Sequence, residues 1–175
     1  MLQLLYLIRH AQPKLGTGIA YDRAPGPPLS DVGRDEARAA GLYLSQCRLE
    51  ALYVSPLDRT QETARVIAEQ VALTPRTEEA LAEHRSDETF DQVKARMRDF
   101  LAGLEGEQVR IAGFVTHGSP IKAALQLLSN ETLNLTSYAF DNGNHAPTAG
   151  IWRAERADGS WRIDLAFMPS MVRTY

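Results

Sequence analysis

The sequence predicts an α/β fold, and three observations carry that prediction. Residues 4–8, 52–54 and 111–115 form short apolar segments, of which the first and last resemble strands covered on both faces of a parallel sheet. Helical patterns lie between these segments. Residues 150–155 and 161–168 flank Asp158–Gly159, which is typical of a hairpin turn. We therefore expect a three-layer α/β/α sandwich with a mostly parallel sheet and an antiparallel C-terminal addition.

The helical segments are recognised by the spacing of their small and apolar residues. The first has such residues at i, i+3, i+4 and i+7, namely Ala37, Ala40, Gly41 and Leu44. The same spacing extends over residues 60–71 and again over residues 90–104. The helical segments thus lie between the predicted strands, where the crossover connections of a parallel sheet are expected.

The length and composition limit the classes of protein that fit. A chain of 175 residues is most simply one domain, residues 1–175. Its net charge of −3 argues against nucleic-acid or membrane-surface partners, and no apolar run approaches the roughly 20 residues needed to span a bilayer. Arg9 and His10 interrupt the N-terminal apolar stretch too early for a signal peptide, so we expect a cytoplasmic location. One cysteine, Cys47, allows no disulfide framework and no cysteine metal cluster.

Two segments have no periodicity and resist assignment. Residues 11–28 are rich in glycine and proline, and a loop of this length is often a functional lid or binding loop, although a disordered surface loop is an equal alternative. The C-terminal sequence PSMVRTY mixes apolar and basic residues and could dock on the body or on a partner subunit. The oligomeric state stays open.

Cationic side chains follow three of the predicted strands. Arg9 and His10 come directly after the first strand, Arg59 follows the second, and His117 follows the third. In open α/β sheets, ligands bind beyond the carboxyl ends of the strands. If these strands are parallel, the two histidines and two arginines gather at one edge of the sheet.

The predicted helix starts indicate an anion there. Ser55, Pro56 and Asp58 fit the positions N-cap, N1 and N3, which puts Arg59 near a first turn, where the helix dipole disfavours a cation by roughly 0.3–1 kcal/mol. A bound anion would offset that cost. Ser119 and Pro120 resemble the N-cap and N1 of the last helix, and the N–H groups around Gly118 and Ser119 would bind phosphate.

Each of these residues also has an ordinary structural explanation. A single histidine at a strand end is more often structural than catalytic, and a single arginine is usually solvated. Their shared placement favours function, but spacing alone supports only an anion-binding α/β domain. No acidic metal cage accompanies them, and no glycine-rich Walker pattern precedes a Lys–Ser/Thr pair.

Longer motifs resemble a known family. LIRHAQ, LSDVGRDEARAAGLYL, SPLDRTQETARVIA, LAEH and VTHGSPIKAAL occur in this order, with the core of the match in residues 4–125. They resemble the histidine phosphatase superfamily, the phosphoglycerate mutase-like group. The pairing of Arg–His at the first strand end with Ser–Pro–Leu–x–Arg is specific, and a second His–Gly follows the later strand.

The resemblance implies a catalytic site and a mechanism. His10 would be the nucleophile that forms a phosphohistidine, while Arg9, Arg59 and His117 would bind the phosphoryl oxygens. Glu83 matches the family's proton donor, although nothing in its local sequence selects it over Glu79, Asp87 or Glu88. No metal or other cofactor is implied. His84 and His145 are expected to be structural, with His145 in a loop that could approach the pocket.

The resemblance implies a phosphatase acting on a phosphorylated small molecule or a phosphoprotein, including a phosphohistidine protein. A phosphoglycerate mutase would use the same residues, and a non-catalytic phospho-ligand sensor would retain the fold. The short chain and the 11–28 loop favour hydrolysis over mutase activity. Ala11 and Ser119 replace glycines common in the family, Pro13 replaces a polar residue, and Lys122 replaces a frequent arginine, which leaves the substrate open.

Overall fold

The chain forms one six-stranded sheet, with strand order β3-β2-β4-β1-β5-β6 in a computed structural model that describes residues 1–169. The strands are β1 Leu4–Arg9, β2 Ala51–Val54, β3 Arg76–Thr77, β4 Ile111–Thr116, β5 Ile151–Ala157 and β6 Ser160–Phe167. Strands β1 to β4 pair in parallel, and β5 and β6 are antiparallel additions at the edge next to β1. This confirms the predicted sheet.

In the described part of the chain, residues 1–169, four helices cover the sheet on its two faces. They are α1 Asp31–Leu44, α2 Asp58–Val71, α3 Phe90–Glu105 and α4 Gly118–Leu128, with single 3₁₀ turns at Glu79–Leu81 and Asp141–Gly143. Successive side chains of a strand point to opposite faces. Leu5 and Leu7 accordingly pack in the core under α3 and α4, whereas Tyr6 and Ile8 pack in the core under α1 and α2. The three-layer sandwich follows from that alternation.

The helix starts differ from the prediction at two places. Helix α2 begins at Asp58, with Leu57 at the N-cap and no side-chain cap, so Ser55 and Pro56 lie outside it. Helix α4 begins at Gly118, with His117 at the N-cap, so Ser119 and Pro120 lie inside the first turn. The predicted assignment of Ser55 and Ser119 as caps was wrong, because both hydroxyl residues occur near a helix start without capping it. Arg59 does lie in a first turn, as expected.

The C-terminal hairpin has the predicted turn. Ala157 pairs with Ser160 across Asp158 and Gly159, whose φ angles are 50° and 79°. Two central residues with positive φ give the type I′ geometry that matches the twist of the strands. Most of the C-terminal segment PSMVRTY, residues 170–175, lies outside the described residues.

The 11–28 loop is closed at its base. Lys14 N–H donates to Pro28 O at 2.8 Å, and Ser30 N–H donates to Gln12 O at 3.0 Å. Gly33 of α1 packs against the backbone of Gln12, since a Cβ at position 33 would lie 2.1 Å from Gln12 O. The loop therefore leaves and re-enters the body at fixed points beside His10. Within residues 1–169, no helix is both long and apolar enough to cross a membrane.

Candidate active site

The structure brings the five predicted catalytic residues together at the carboxyl edge of the sheet. Strands β1 and β4 are adjacent and parallel, with Arg9 opposite Thr116, so the residues that follow them are neighbours. The ring centroids of His10 and His117 lie 5.3 Å apart. Arg59 enters from the first turn of α2, and Glu83 from the segment after the 3₁₀ turn Glu79–Leu81. Topology, and not proximity in sequence, builds this cluster.

His10 is a buried neutral imidazole whose two ring nitrogens have different roles. Its Nδ1 lies 2.9 Å from Ala11 O, and because a carbonyl only accepts, we assign the ring proton to Nδ1. Nε2 is then the unprotonated nitrogen. Burial lowers the pKa of His10 well below its usual value of 6.5, and the charges of Arg59 and Arg9 lower it further. His10 is thus prepared as a nucleophile at neutral pH.

The two arginines carry buried N–H groups that find no partner within residues 1–169. Arg59 is fully buried, and its Nε and Nη1 are unpaired, as is Nε of Arg9. The other donors of Arg9 bind both carboxylate oxygens of Asp141 and the carbonyl of Ala146, each at 2.8 Å. Unpaired buried donors on guanidinium groups are costly unless an anion binds them.

His117 is held by a serine that the sequence suggested only as a helix cap. Ser55 Oγ lies 2.7 Å from His117 Nε2 and accepts from Leu57 N–H at 3.4 Å. Because the Ser55 hydroxyl has no other acceptor among the described residues, we assign its proton to the bond with Nε2, which leaves the ring proton on Nδ1. Nδ1 faces Glu83 Oε2 at 3.5 Å without a hydrogen bond. Burial lowers the pKa of His117 well below 6.5. It is therefore a neutral donor aimed into the cluster.

Glu83 faces the same centre as His117. Its Oε2 lies 3.4 Å from Arg59 Nη2, and its Oε1 accepts from the backbone N–H of His84 at 2.9 Å. Burial raises the pKa of Glu83 above its usual 4.5, although Arg59 and Arg9 act in the opposite direction. A carboxyl group that holds its proton more readily is suited to act as an acid.

Arg96 on α3 frames Glu83, and nothing in the sequence pattern identified it. Its guanidinium forms a two-pronged ion pair with Glu88 at 2.8 and 3.1 Å and also donates to the carbonyls of Ala80 and Glu83. This one side chain therefore ties together the two ends of the segment that carries Glu83. A guanidinium has the planar fork that these four acceptors need.

Arg96→Lys is expected to lower kcat for a phosphate ester with an alcohol leaving group by about tenfold, because lysine cannot hold the Glu83 segment with a fork of donors. With p-nitrophenyl phosphate, whose leaving group needs little protonation, the loss should be smaller. Arg98→Lys, on the exposed face of the same helix, is the matched control. Equal losses for the two substrates would contradict a role for Arg96 in placing Glu83.

Gly118 and Ser119 stand at the start of α4, where backbone N–H groups have no partner within the helix. Gly118 packs closely on Asn144, because a Cβ at position 118 would lie 1.7 Å from Asn144 Oδ1 and the Asn144 side chain would have to move. Ala11 does not have the positive φ that would favour glycine, and its N–H donates to Thr63 Oγ1 at 3.1 Å.

The same cluster contains a set of metal-ligating atoms. One ligand atom from each of His10, Glu83 and His117 lies within 4.8 Å of the others, close enough to hold a metal ion. Arg9 and Arg59, both buried beside them, add two positive charges. Repulsion from these charges disfavours a cation and favours an anion in the same space.

The remaining histidines serve the scaffold. His84 Nε2 lies 2.7 Å from Glu88 O, and His145 Nδ1 lies 2.8 Å from Tyr138 O. The carbonyl of His145 accepts from Trp152 Nε1–H.

Tyr21 of the 11–28 loop lies over His10, with its hydroxyl 3.3 Å from His10 Nε2. Sequence reasoning assigned no role to this residue. An aromatic residue in a glycine-rich loop next to the histidine was the available signal.

Part of the chain matches a known protein family. Residues 5–87 match the model of the histidine phosphatase superfamily, branch 1. These residues include β1, α1, β2 and α2, together with His10, Arg59 and Glu83.

Similar proteins include both characterised and uncharacterised examples. The uncharacterized protein Rv0525 of Mycobacterium tuberculosis is 38% identical over 79 residues, 45% of this chain and 39% of that protein. A 2,3-bisphosphoglycerate-dependent phosphoglycerate mutase of Thermoplasma acidophilum is 26% identical over 169 residues, 77% of this chain and 82% of that protein. The chain thus spans only 39–43% of the length of the first curated relatives it matches.

Solved structures share the fold. The native structure of the mycobacterial glucosyl-3-phosphoglycerate phosphatase Rv2419c superposes with a TM-score of 0.76 at 22% identity, covering 93% of this chain and 97% of that one. At this identity the similarity concerns the fold.

Proposed function

Because residues 5–87 match the model of the histidine phosphatase superfamily, we propose that the chain is a member of that superfamily and a metal-independent phosphatase that hydrolyses a phosphomonoester through a phosphohistidine on His10. The observation that carries this proposal is the state of His10. Its Nδ1 proton is engaged by Ala11 O, so the Nε2 lone pair faces a centre lined by the buried Arg9, Arg59 and His117. A nucleophile beside unpaired cationic donors is what phosphoryl transfer requires.

In the first step, His10 Nε2 attacks phosphorus and the bond to the leaving oxygen breaks. Glu83 gives its proton to that oxygen, so an alcohol departs and Glu83 becomes a carboxylate. The unpaired donors of Arg59 and Arg9 and the Nδ1–H of His117 stabilise the equatorial oxygens. The first-turn N–H groups of Gly118 and Ser119 lie at the same edge and add donors for an anion.

In the second step, water attacks the phosphohistidine. Glu83 takes a proton from that water, the bond from Nε2 to phosphorus breaks, and inorganic phosphate leaves. Both His10 and Glu83 return to their starting states. The charge stabilisation comes from arginine and histidine throughout, which is why a metal ion is not part of this scheme.

The proposed substrate is a phosphorylated small molecule or a phosphohistidine protein. A phosphoglycerate mutase reaction is the second candidate, since the relative of that name from Thermoplasma acidophilum aligns with 77% of this chain. A mutase returns the phosphoryl group to its product and does not lose it to water. The two candidates therefore differ in whether inorganic phosphate accumulates.

Phosphate release from p-nitrophenyl phosphate in the presence of EDTA tests the proposal. We expect turnover at the same rate with and without the chelator, because buried arginines supply the positive charge that a metal would otherwise provide. A readdition series with Mg²⁺, Mn²⁺ and Zn²⁺ serves as the control. Activity that disappears with EDTA and returns with one of these ions would contradict the metal-independent scheme. Isomer exchange of phosphoglycerate without net phosphate release would favour the mutase.

A further inference from the structure

The catalytic cluster is closed to solvent in this structure. His10 is 1% exposed, Arg9 is 4% exposed, and Arg59 and His117 are fully buried. Attack by His10 requires phosphorus within about 3–3.5 Å of Nε2. A group that now covers His10 must therefore move before a substrate reacts.

Tyr21, in the 11–28 loop, is that covering group. Its hydroxyl lies 3.3 Å from His10 Nε2, and the guanidinium carbon of Arg59 lies 4.0 Å from the centroid of its ring. Because the ring proton of His10 is on Nδ1, Nε2 accepts and the phenol donates. Tyr21 thus occupies both the lone pair that would attack phosphorus and one face of a guanidinium that would bind the phosphoryl oxygens.

The residues next to Tyr21 fasten the loop to the Glu83 segment. Asp22 accepts from the backbone N–H of Ser86 at 2.9 Å, and Arg23 Nη2 lies 3.5 Å from Asp87 Oδ2. Arg23 and Asp87 have side chains that are 56% and 60% exposed. Exposed pairs of this kind contribute little stability, so the fastening opens readily. The closed loop is a state that a ligand can displace.

We propose that Tyr21 is a gate and a specificity-determining residue, whose phenol competes with the phosphoryl group of the substrate for the position beside His10 and Arg59. The inference rests on the proposed function, because it takes that position as the phosphoryl site. Free phosphate must displace the phenol unaided. A phosphate ester gains additional binding free energy when its organic part contacts the opened loop. Tyr21 therefore selects for substrates larger than phosphate itself.

Calorimetric binding of inorganic phosphate tests the competition without any turnover. Tyr21→Phe keeps the ring on Arg59 and removes the hydroxyl, whereas Tyr21→Ala removes both. We expect phosphate to bind about threefold more tightly to the first variant and about tenfold more tightly to the second. Tyr43→Phe, which removes a phenol that stacks on Phe167 away from the site, is the matched control. Weaker binding in the Tyr21 variants would make Tyr21 a phosphoryl ligand and overturn the proposal.

The reactivity of His10 gives a second readout. Diethyl pyrocarbonate acylates unprotonated imidazole nitrogens, and peptide mass spectrometry identifies which of the four histidines has reacted. His10 should be modified faster in Tyr21→Phe and faster still in Tyr21→Ala. Unchanged rates at His10 would overturn the gate even if the wild type proves an active phosphatase. Faster modification and tighter phosphate binding in a protein without hydrolase activity would support the gate and refute only the proposed reaction.

Discussion

His10→Ala is expected to abolish phosphate release, with a loss in kcat of about 10⁴-fold or more, because no other described side chain presents an unprotonated nitrogen to the phosphoryl site. His117 does not substitute for it, since its Nε2 is engaged by Ser55. The measurement is release of p-nitrophenolate over hours, so that a residual rate is quantified.

The same variant should stay folded. Removing the buried ring removes the hydrogen bond to Ala11 O and creates a cavity. Together these changes are expected to lower the free energy of unfolding by about 1–3 kcal/mol. Thermal unfolding followed by circular dichroism separates this loss from misfolding. A ³²P-phosphoryl donor should label the wild type with a phosphoryl group that is sensitive to acid and stable to alkali. The absence of this label in His10→Ala would identify the intermediate as a phosphohistidine on His10. Turnover within tenfold of the wild type would rule out His10 as the nucleophile.

The sheet and the cationic cluster could be predicted because they depend on patterns that are local in sequence. A buried strand is recognised in the sequence by its run of apolar residues. Arg9, His10 and His117 stand out because each lies at or just after the end of such a run. Parallel pairing of β1, β4 and β2 then places them at one edge with no further information. The two-residue strand β3 carried no such pattern, since it is too short to show alternation.

The positioning residues could not be predicted, because their roles depend on contacts between distant segments. Ser55 reaches His117 across 62 positions of sequence, and Arg96 reaches the Glu83 segment from the next helix. The local signal at Ser55 was even misleading, since Ser–Pro before a helical pattern is typical of an N-cap. Tyr21 illustrates the same limit. It is the aromatic residue of the 11–28 loop, but a loop without periodicity does not show which of its side chains turns inward.

The structure also separates Glu83 from the acids around it, which the local sequence could not do. Glu79 is exposed, Asp87 pairs with Arg85 on the surface, and Glu88 is committed to Arg96. Pairing with Arg96 lowers the pKa of Glu88, whereas burial raises that of Glu83. Two neighbouring carboxyl groups therefore have opposite tendencies to hold a proton, and the one that holds it faces His117.

Glu83→Gln is expected to slow hydrolysis of an alkyl phosphate by about 10²–10⁴-fold, and that of p-nitrophenyl phosphate by about tenfold at most, because only the alkoxide needs a proton as it leaves. The amide keeps the shape of the side chain and an oxygen for Arg59. Glu79→Gln, an exposed change in the preceding 3₁₀ turn, is the control. Equal slowing with both substrates would exclude Glu83 as the proton donor.

The pH dependence of kcat/KM gives the same assignment independently. His10 acts when neutral, and its pKa is lowered, so activity is lost on the acid side only well below pH 6.5. Glu83 acts when protonated, and burial raises its pKa above 4.5, so activity toward an alkyl phosphate is lost as the pH rises through this raised pKa. The alkaline limb should be absent in Glu83→Gln, while the acid limb stays in place. If Glu83→Gln keeps both limbs of the pH profile, the alkaline limb belongs to a group other than Glu83.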